Sequence, residues 1–243
     1  MTEAARPAFY ALRSGGWRDY WTLLHAPYTA WHLSFVAVGA AIAPTLSVTW
    51  LLESLAAFLL AMGVSAHALD ELHGRPLRTR IPSRTLWLMA GVGLLGAVAL
   101  GIHGMYVVSP WLGLFIATGA FMVVAYNLEL FEGRFHSTPW FALAWGAFPA
   151  LTGYFAQTGS LTASAVLIAG SCGVLAVAQR RLSTPVREVR RQTKMVRGVI
   201  VRRDGTSEEI SSKTLTAPAE GALRAMSAAM PLLAAALVAS HLV

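Results

Sequence analysis

Two runs of ionisable residues interrupt an otherwise apolar chain, and both have spacings that can do chemistry. The first is Ser65-Ala-His67-Ala-Leu-Asp70-Glu71-Leu-His73-Gly74-Arg75-Pro76. On a helix, His67, Asp70 and Glu71 stand at i, i+3 and i+4 and share one face. Two carboxylates and an imidazole so placed can hold a divalent cation. Oxygen ligands suit Mg²⁺, while the imidazole tilts the choice toward Fe, Mn or Zn. The Arg-rich loop that follows can neutralise an anion. The second run is Tyr126-Asn127-Leu-Glu129-Leu-Phe-Glu132-Gly133-Arg134-Phe-His136. Glu129, Glu132 and His136 share a face if the helix continues, although Gly133 is placed to end it. Both runs emerge on the same side of their apolar segments, so they can meet in one pocket. Its metal ligands would be drawn from Asp70, Glu71, His67, His73, Glu129 and Glu132. The plainer reading is a helix end reaching water and a solvated connection.

The elements that must carry these residues are membrane helices. With 56% hydrophobic and 13% charged residues in 243, the chain is too apolar for an ordinary soluble domain. Apolar stretches near 29–48, 49–69, 86–106, 110–128, 139–157, 161–178 and 222–242 reach the ~20 residues that cross a bilayer. The fold class expected is an all-α integral membrane protein with about seven transmembrane helices. Residues 1–28 form an aromatic- and Arg-rich interfacial segment, 29–178 a six-helix bundle, 179–221 a basic segment and 222–243 a last helix. Within the basic segment, Asp204-Gly205 between Gly198–Val201 and Ser207–Ile210 is a hairpin signal. All 19 Lys and Arg lie before the first span, in alternate connections, or in the stretch from Arg180 to Arg224. The remaining connections carry none. That one-sidedness predicts a cytoplasmic N-terminus and an extracytoplasmic C-terminus. The net charge of +7 then points to anionic lipid or a diphosphate, and not to nucleic acid. A single Cys172 excludes an internal disulfide and reads as a small buried residue. His25, His32 and His103 lack a carboxylate at ligand spacing and read as satisfied or interfacial.

Four pieces, in order, resemble the UbiA superfamily of intramembrane prenyltransferases. Arg18-Asp-Tyr-Trp-Thr-Leu-Leu-His-Ala-Pro27-Tyr-Thr, with Gly39-Ala-Ala-Ile-Ala-Pro44, is similar to the family's opening helix. His67-Ala-Leu-Asp70-Glu-Leu-His-Gly74 falls where the family carries its first Asp-rich motif, NDxxDxxxD. Arg80-Ile-Pro82-Ser83 resembles the stretch that follows it. Tyr126-Asn127 and Gly153-Tyr-Phe-Ala-Gln-Thr158-Gly159 are similar to the family's Tyr motif and to the end of its next helix. The resemblance covers roughly residues 18–182. It departs at Ala66 in place of Asn, at His67 in place of the first Asp and at Gly74 in place of the last. The second Asp-rich motif should follow the sixth span. There the chain reads Gln179-Arg-Arg-Leu-Ser-Thr-Pro-Val-Arg187, with only Glu188 acidic. The Lys that should follow the Tyr motif is replaced near Phe131–Glu132, and family members usually have nine helices.

The resemblance implies a UbiA-like bundle with a slot for an isoprenoid and a polar pocket at the cytoplasmic end. It implies prenyl transfer or cyclisation on a prenyl diphosphate, with Asp70, Glu71, His67 and Tyr126 in catalytic roles and a divalent metal, Mg²⁺ before Fe or Mn. Arg75, Arg78, Arg80, Arg180 and Arg181, with Asn127, are its diphosphate-binding candidates, since a guanidinium matches phosphate geometry. Two alternatives stay open: a different iron- or manganese-dependent membrane enzyme on the same scaffold, and a non-catalytic lipid-binding subunit.

Overall fold

The computed structural model describes residues 6–241. A short entry helix, α1 (Trp17–Leu23), leads into α2 (Ala26–Ala41). Then follow α3 (Val48–Leu72), α4 (Ser83–Val107) and α5 (Leu112–Asn127). Helix α6 runs without a break over 138–158, as Thr138–Ala142, a π-helical stretch over Leu143–Ala147, and Phe148–Thr158. Helix α7 (Ala163–Arg191) precedes a hairpin of β1 (Val199–Val201) and β2 (Ser207–Glu209), and α8 (Ser212–Ala239) ends the described chain. A second π-helical stretch, Leu59–Ala66, lies inside α3.

Among the described residues four helices, α3, α4, α7 and α8, are long and apolar enough to cross a membrane, and α5 is apolar but shorter. Their outward faces match that reading. Leu88, Leu95, Leu167, Val174 and Leu232 are all exposed, an apolar surface that lipid covers and water does not. The chain is thus a multi-pass helical membrane protein. The sequence segments expected as spans each coincide with a helix, but lengths differ. Helix α2 stops at Ala41, because Pro44 cannot continue it and biases the residue before it away from helical backbone.

Helix α2 is the central rod. Trp31, Phe35, Val36 and Ala40 are fully buried along it. It packs closely on α6 because neither helix carries a side chain at the crossing. A methyl group at Gly39 would overlap the carbonyl of Ala150, and one at Gly153 would overlap the carbonyl of Val36. Small residues at such crossings let backbones approach where lipid offers no hydrophobic drive.

The basic segment differs most from expectation. Helix α7 continues past residue 178 to Arg191, and α8 starts at Ser212, well before 222. Ser211 caps α8: its hydroxyl accepts from the Thr214 backbone N–H while the Thr214 hydroxyl accepts from Ser211 N. Between the two helices the hairpin forms in the expected place, Val199 pairing with Glu209 and Val201 with Ser207, and Gly205 takes the positive φ of the turn.

Candidate functional site

The ends of α3, α5 and α7 meet the starts of α2 and α6 around one polar cavity. Residues 7–10 of the N-terminal segment close it from the side. Two of the helices widen into π turns beside it, a feature frequent at functional sites. Each π stretch gives a carbonyl to a cavity histidine. The Gly63 carbonyl bonds His67 Nδ1 at 3.1 Å, and the Trp145 carbonyl bonds His32 Nδ1 at 2.6 Å. His136 Nδ1 lies 3.3 Å from the Tyr126 carbonyl. A carbonyl only accepts, so each of these rings carries its hydrogen on Nδ1. When neutral, each keeps Nε2 as a lone pair.

His25 completes the group. It stands ahead of α2 in left-handed backbone, φ 48°, a conformation costly for a non-glycine residue and common at functional sites. Its ring stacks on that of His67, with centroids 4.2 Å apart and planes at 11°. Its Nδ1 is 2.8 Å from the Tyr10 hydroxyl, and its Nε2 is buried without a partner. Burial, with His67 close by, holds the His25 imidazole well below its ordinary range. Burial likewise pushes the Tyr10 phenol well above its own. This corner of the cavity is therefore uncharged at neutral pH.

The α7 wall is cationic. Arg180, Arg187 and Arg191 all line the cavity from α7. Their spacing, i, i+7 and i+11, puts them on one face of the helix. Arg180 donates to the Tyr126 hydroxyl and lies over the Phe141 ring, 5.1 Å from its centroid. Arg187 donates to the Thr184 hydroxyl at 3.2 Å, and Arg191 donates to the Pro7 carbonyl at 3.2 Å. Asp70 lines the same cavity, close enough to Arg187 and Arg191 to feel their charge.

An apolar cavity lies between α3, α4, α5 and α6, running from Trp50 and Glu53 to Met62 and Trp145. Met62 and Trp145 line both cavities. These two side chains form a shared wall, with a polar cavity on one side and a mostly apolar one on the other. From Glu53 to Met62 the helix rise gives a length of about 13 Å.

No family model, curated protein or solved structure matches the chain.

Of the expected residues, His67, Asp70, Tyr126, Asn127 and Arg180 line the polar cavity. Glu71 is fully buried but spent elsewhere. Its carboxylate accepts from Leu77 N at 2.9 Å and from Thr79 N and the Thr79 hydroxyl, both at 2.8 Å. It holds the 74–81 loop in place of facing the cavity with His67 and Asp70. Arg75 serves the same loop, donating to the Ile81 carbonyl and the Ser83 hydroxyl. Arg78 donates to the Arg191 carbonyl, and the Arg80 backbone N–H donates to Asp19. These three arginines and the exposed Arg181 are not among the cavity's lining residues. The two ionisable runs do meet, at the cavity's edge, where His136 lines it and His73 and Glu129 do not. His73 is 3.8 Å from Glu129, and Glu129 is 3.6 Å from His136. Glu132 stays exposed in left-handed backbone. The six expected metal ligands are thus divided between cavity, loop and outer surface. Among the described residues no three His, Cys, Asp or Glu side chains are placed to hold an ion together. Asp70 is the one carboxylate among the cavity's described lining residues.

Sequence reasoning missed Tyr10, Arg187 and Arg191 and undervalued His25 and His32. The arginines had a signal. Ala169, Gly173, Ala176, Arg180, Arg187 and Arg191 form one helical stripe, small in the apolar half and cationic beyond it. Ending the helix at 178 hid it. The histidines had none, since their partners are a backbone carbonyl, the distant Tyr10 hydroxyl and another ring.

Proposed function

We propose that this protein is a membrane enzyme of prenyl-diphosphate chemistry, with the diphosphate in the polar cavity and the isoprenoid chain in the apolar one. The observation that carries this reading is the adjacency of the two cavities, which share Met62 and Trp145 as lining residues. An amphipathic anion with an apolar tail matches both halves, which neither a soluble anion nor a neutral lipid does. The resemblance of residues 18–182 to UbiA prenyltransferases points the same way, as an analogy. One-sided basic charge supports a cytoplasmic position for the polar cavity, within reach of soluble acceptors.

In this reading the allylic C–O bond breaks and its electron pair leaves with the diphosphate toward Arg180, Arg187 and Arg191. Fixed charge aimed at the leaving group lowers that barrier most where water is excluded. The allylic cation sits against the rings of Trp145, Tyr126 and Phe141, whose faces are electron-rich. An acceptor nucleophile or the chain's own double bond forms the new C–C or C–O bond. The proton released goes to the Nε2 lone pair of His67.

The test is turnover by purified protein in nanodiscs with radiolabelled geranyl, farnesyl or geranylgeranyl diphosphate and cytoplasmic extract as acceptor source. Release of diphosphate with the label moving to a new lipid-soluble product is the expected result. If none of the three is bound or consumed, the reading is wrong and a non-catalytic lipid-binding role takes its place.

A further inference from the structure

We infer that the anionic head is held by the α7 arginines themselves, with no divalent cation between protein and phosphate. This rests on the proposed prenyl-diphosphate reading and specifies how its substrate is recognised.

Charge inside the cavity favours this grip. Among the described lining residues there are three guanidinium groups, Arg180, Arg187 and Arg191, and one carboxylate, Asp70. A diphosphate site built on a metal ion reverses that balance, with carboxylates gathered to hold the cation against the phosphates. Asp70 is a poor anchor for such a cation because two of the arginines already lie in its field. Glu71, the nearest further carboxylate in sequence, has both oxygens taken by the 74–81 loop. Glu129 stands outside, 44% exposed beside His73. A guanidinium supplies what the metal would: permanent charge and paired N–H donors in the plane that phosphate oxygens prefer. Arg187 is the best placed of the three. One of its hydrogen bonds goes to the Thr184 hydroxyl, whereas Arg180 is committed to Tyr126 and Arg191 to the N-terminal segment. The second signature is a pair of neutral acceptors. His25 Nε2 and, on α7, Gln179 Oε1 are buried without partners, so the cavity offers acceptors to a donor such as an acceptor substrate's hydroxyl and these add no charge to compete with the arginines.

The experiment measures binding of inorganic pyrophosphate and of farnesyl thiodiphosphate, a slow-reacting analogue, to the detergent-purified full chain. Each is titrated with excess EDTA and again with excess Mg²⁺. Arg187→Gln and Arg203→Gln, the latter at the exposed hairpin turn, are titrated beside the parent, with thermal unfolding as the check on folding. The inference expects both ligands to bind in EDTA as well as in Mg²⁺. It expects Arg187→Gln to weaken both by about tenfold or more, the cost of a charge-assisted hydrogen bond, while Arg203→Gln changes nothing. Binding that appears only with Mg²⁺ overturns the arginine grip and leaves the prenyl-diphosphate reading standing. Parent-like affinity of a folded Arg187→Gln in EDTA also overturns the grip. If the parent binds neither ligand under either condition, the prenyl-diphosphate reading falls and the inference with it.

Discussion

At the scale of single residues, Asp70 and Glu71 are adjacent carboxylates with opposite duties. Asp70 lines the cavity. Glu71 is sealed in and satisfies two backbone N–H groups and a hydroxyl. Glu71→Ala leaves those donors buried without an acceptor, which should cost about 3 kcal/mol of stability. The expected outcome is a lowered thermal midpoint and poor yield. Asp70→Asn keeps the shape and removes only the charge, so the midpoint should stay near the parent's while turnover falls. Thermal unfolding and turnover measured on both variants check the division. Equal destabilisation by the two would mean that Asp70 is structural as well. Arg78 belongs with Glu71: it donates to the Arg191 carbonyl, which steadies the end of α7, and it is not among the polar cavity's lining residues.

At the scale of elements, the site depends on how closely α2 and α6 cross. His25 and His32 come from α2 and its approach, and Trp145 and Phe141 from α6. Their spacing is set on the far side of the histidines by Gly39 against Ala150 and Gly153 against Val36. Adding one methyl group there pushes backbone against backbone, where no side chain can give way. Gly39→Ala should therefore cost about 1–3 kcal/mol, the usual range for overpacking. It should also reduce substrate affinity, because the wall that carries His32 shifts with the helix. Gly91→Ala is the control, since a methyl group there meets nothing. A Gly39→Ala protein as stable as Gly91→Ala would show that the crossing is more compliant than its geometry suggests.

At the scale of the whole molecule, the two ends of the described chain lie at opposite ends of the bundle. The Arg6 carbonyl accepts from Arg190, beside the polar cavity, while His241 bonds the carbonyl of Ala41 at the other end of α2. With the basic connections held inside, a reporter fused after Val243 should read as extracytoplasmic and one fused before Met1 as cytoplasmic. Alkaline phosphatase and a fluorescent protein, each at both ends, give the measurement. Matching signals at the two ends would require an even number of crossings. The buried Arg190–Glu220 pair, at 2.5 Å, ties α7 to α8 on the cavity's side of the molecule. Helix α8 thus supports the wall that carries the arginines, although no residue of it lines the polar cavity.

What the sequence determined by itself was the class of molecule and the stretches that become helices. Long apolar runs and one-sided basic charge are properties of composition and order, and lipid acts on them segment by segment. The hairpin was legible for the same reason, since Asp204-Gly205 sets its own turn locally. Asp70, His67, Tyr126, Asn127 and Arg180 could be picked out because each ends an apolar run or begins a charged one. Only the tertiary structure decided what they face. Helical spacing put Glu71 beside Asp70, but the loop over residues 74–81 returns to claim it, and that contact cannot be read from periodicity. The pairing of His25 with His67 joins elements more than forty residues apart. The cationic wall needed α7 to continue past 178, where the chain leaves its apolar run. There packing against the N-terminal segment and α8, more than hydropathy, holds the helix.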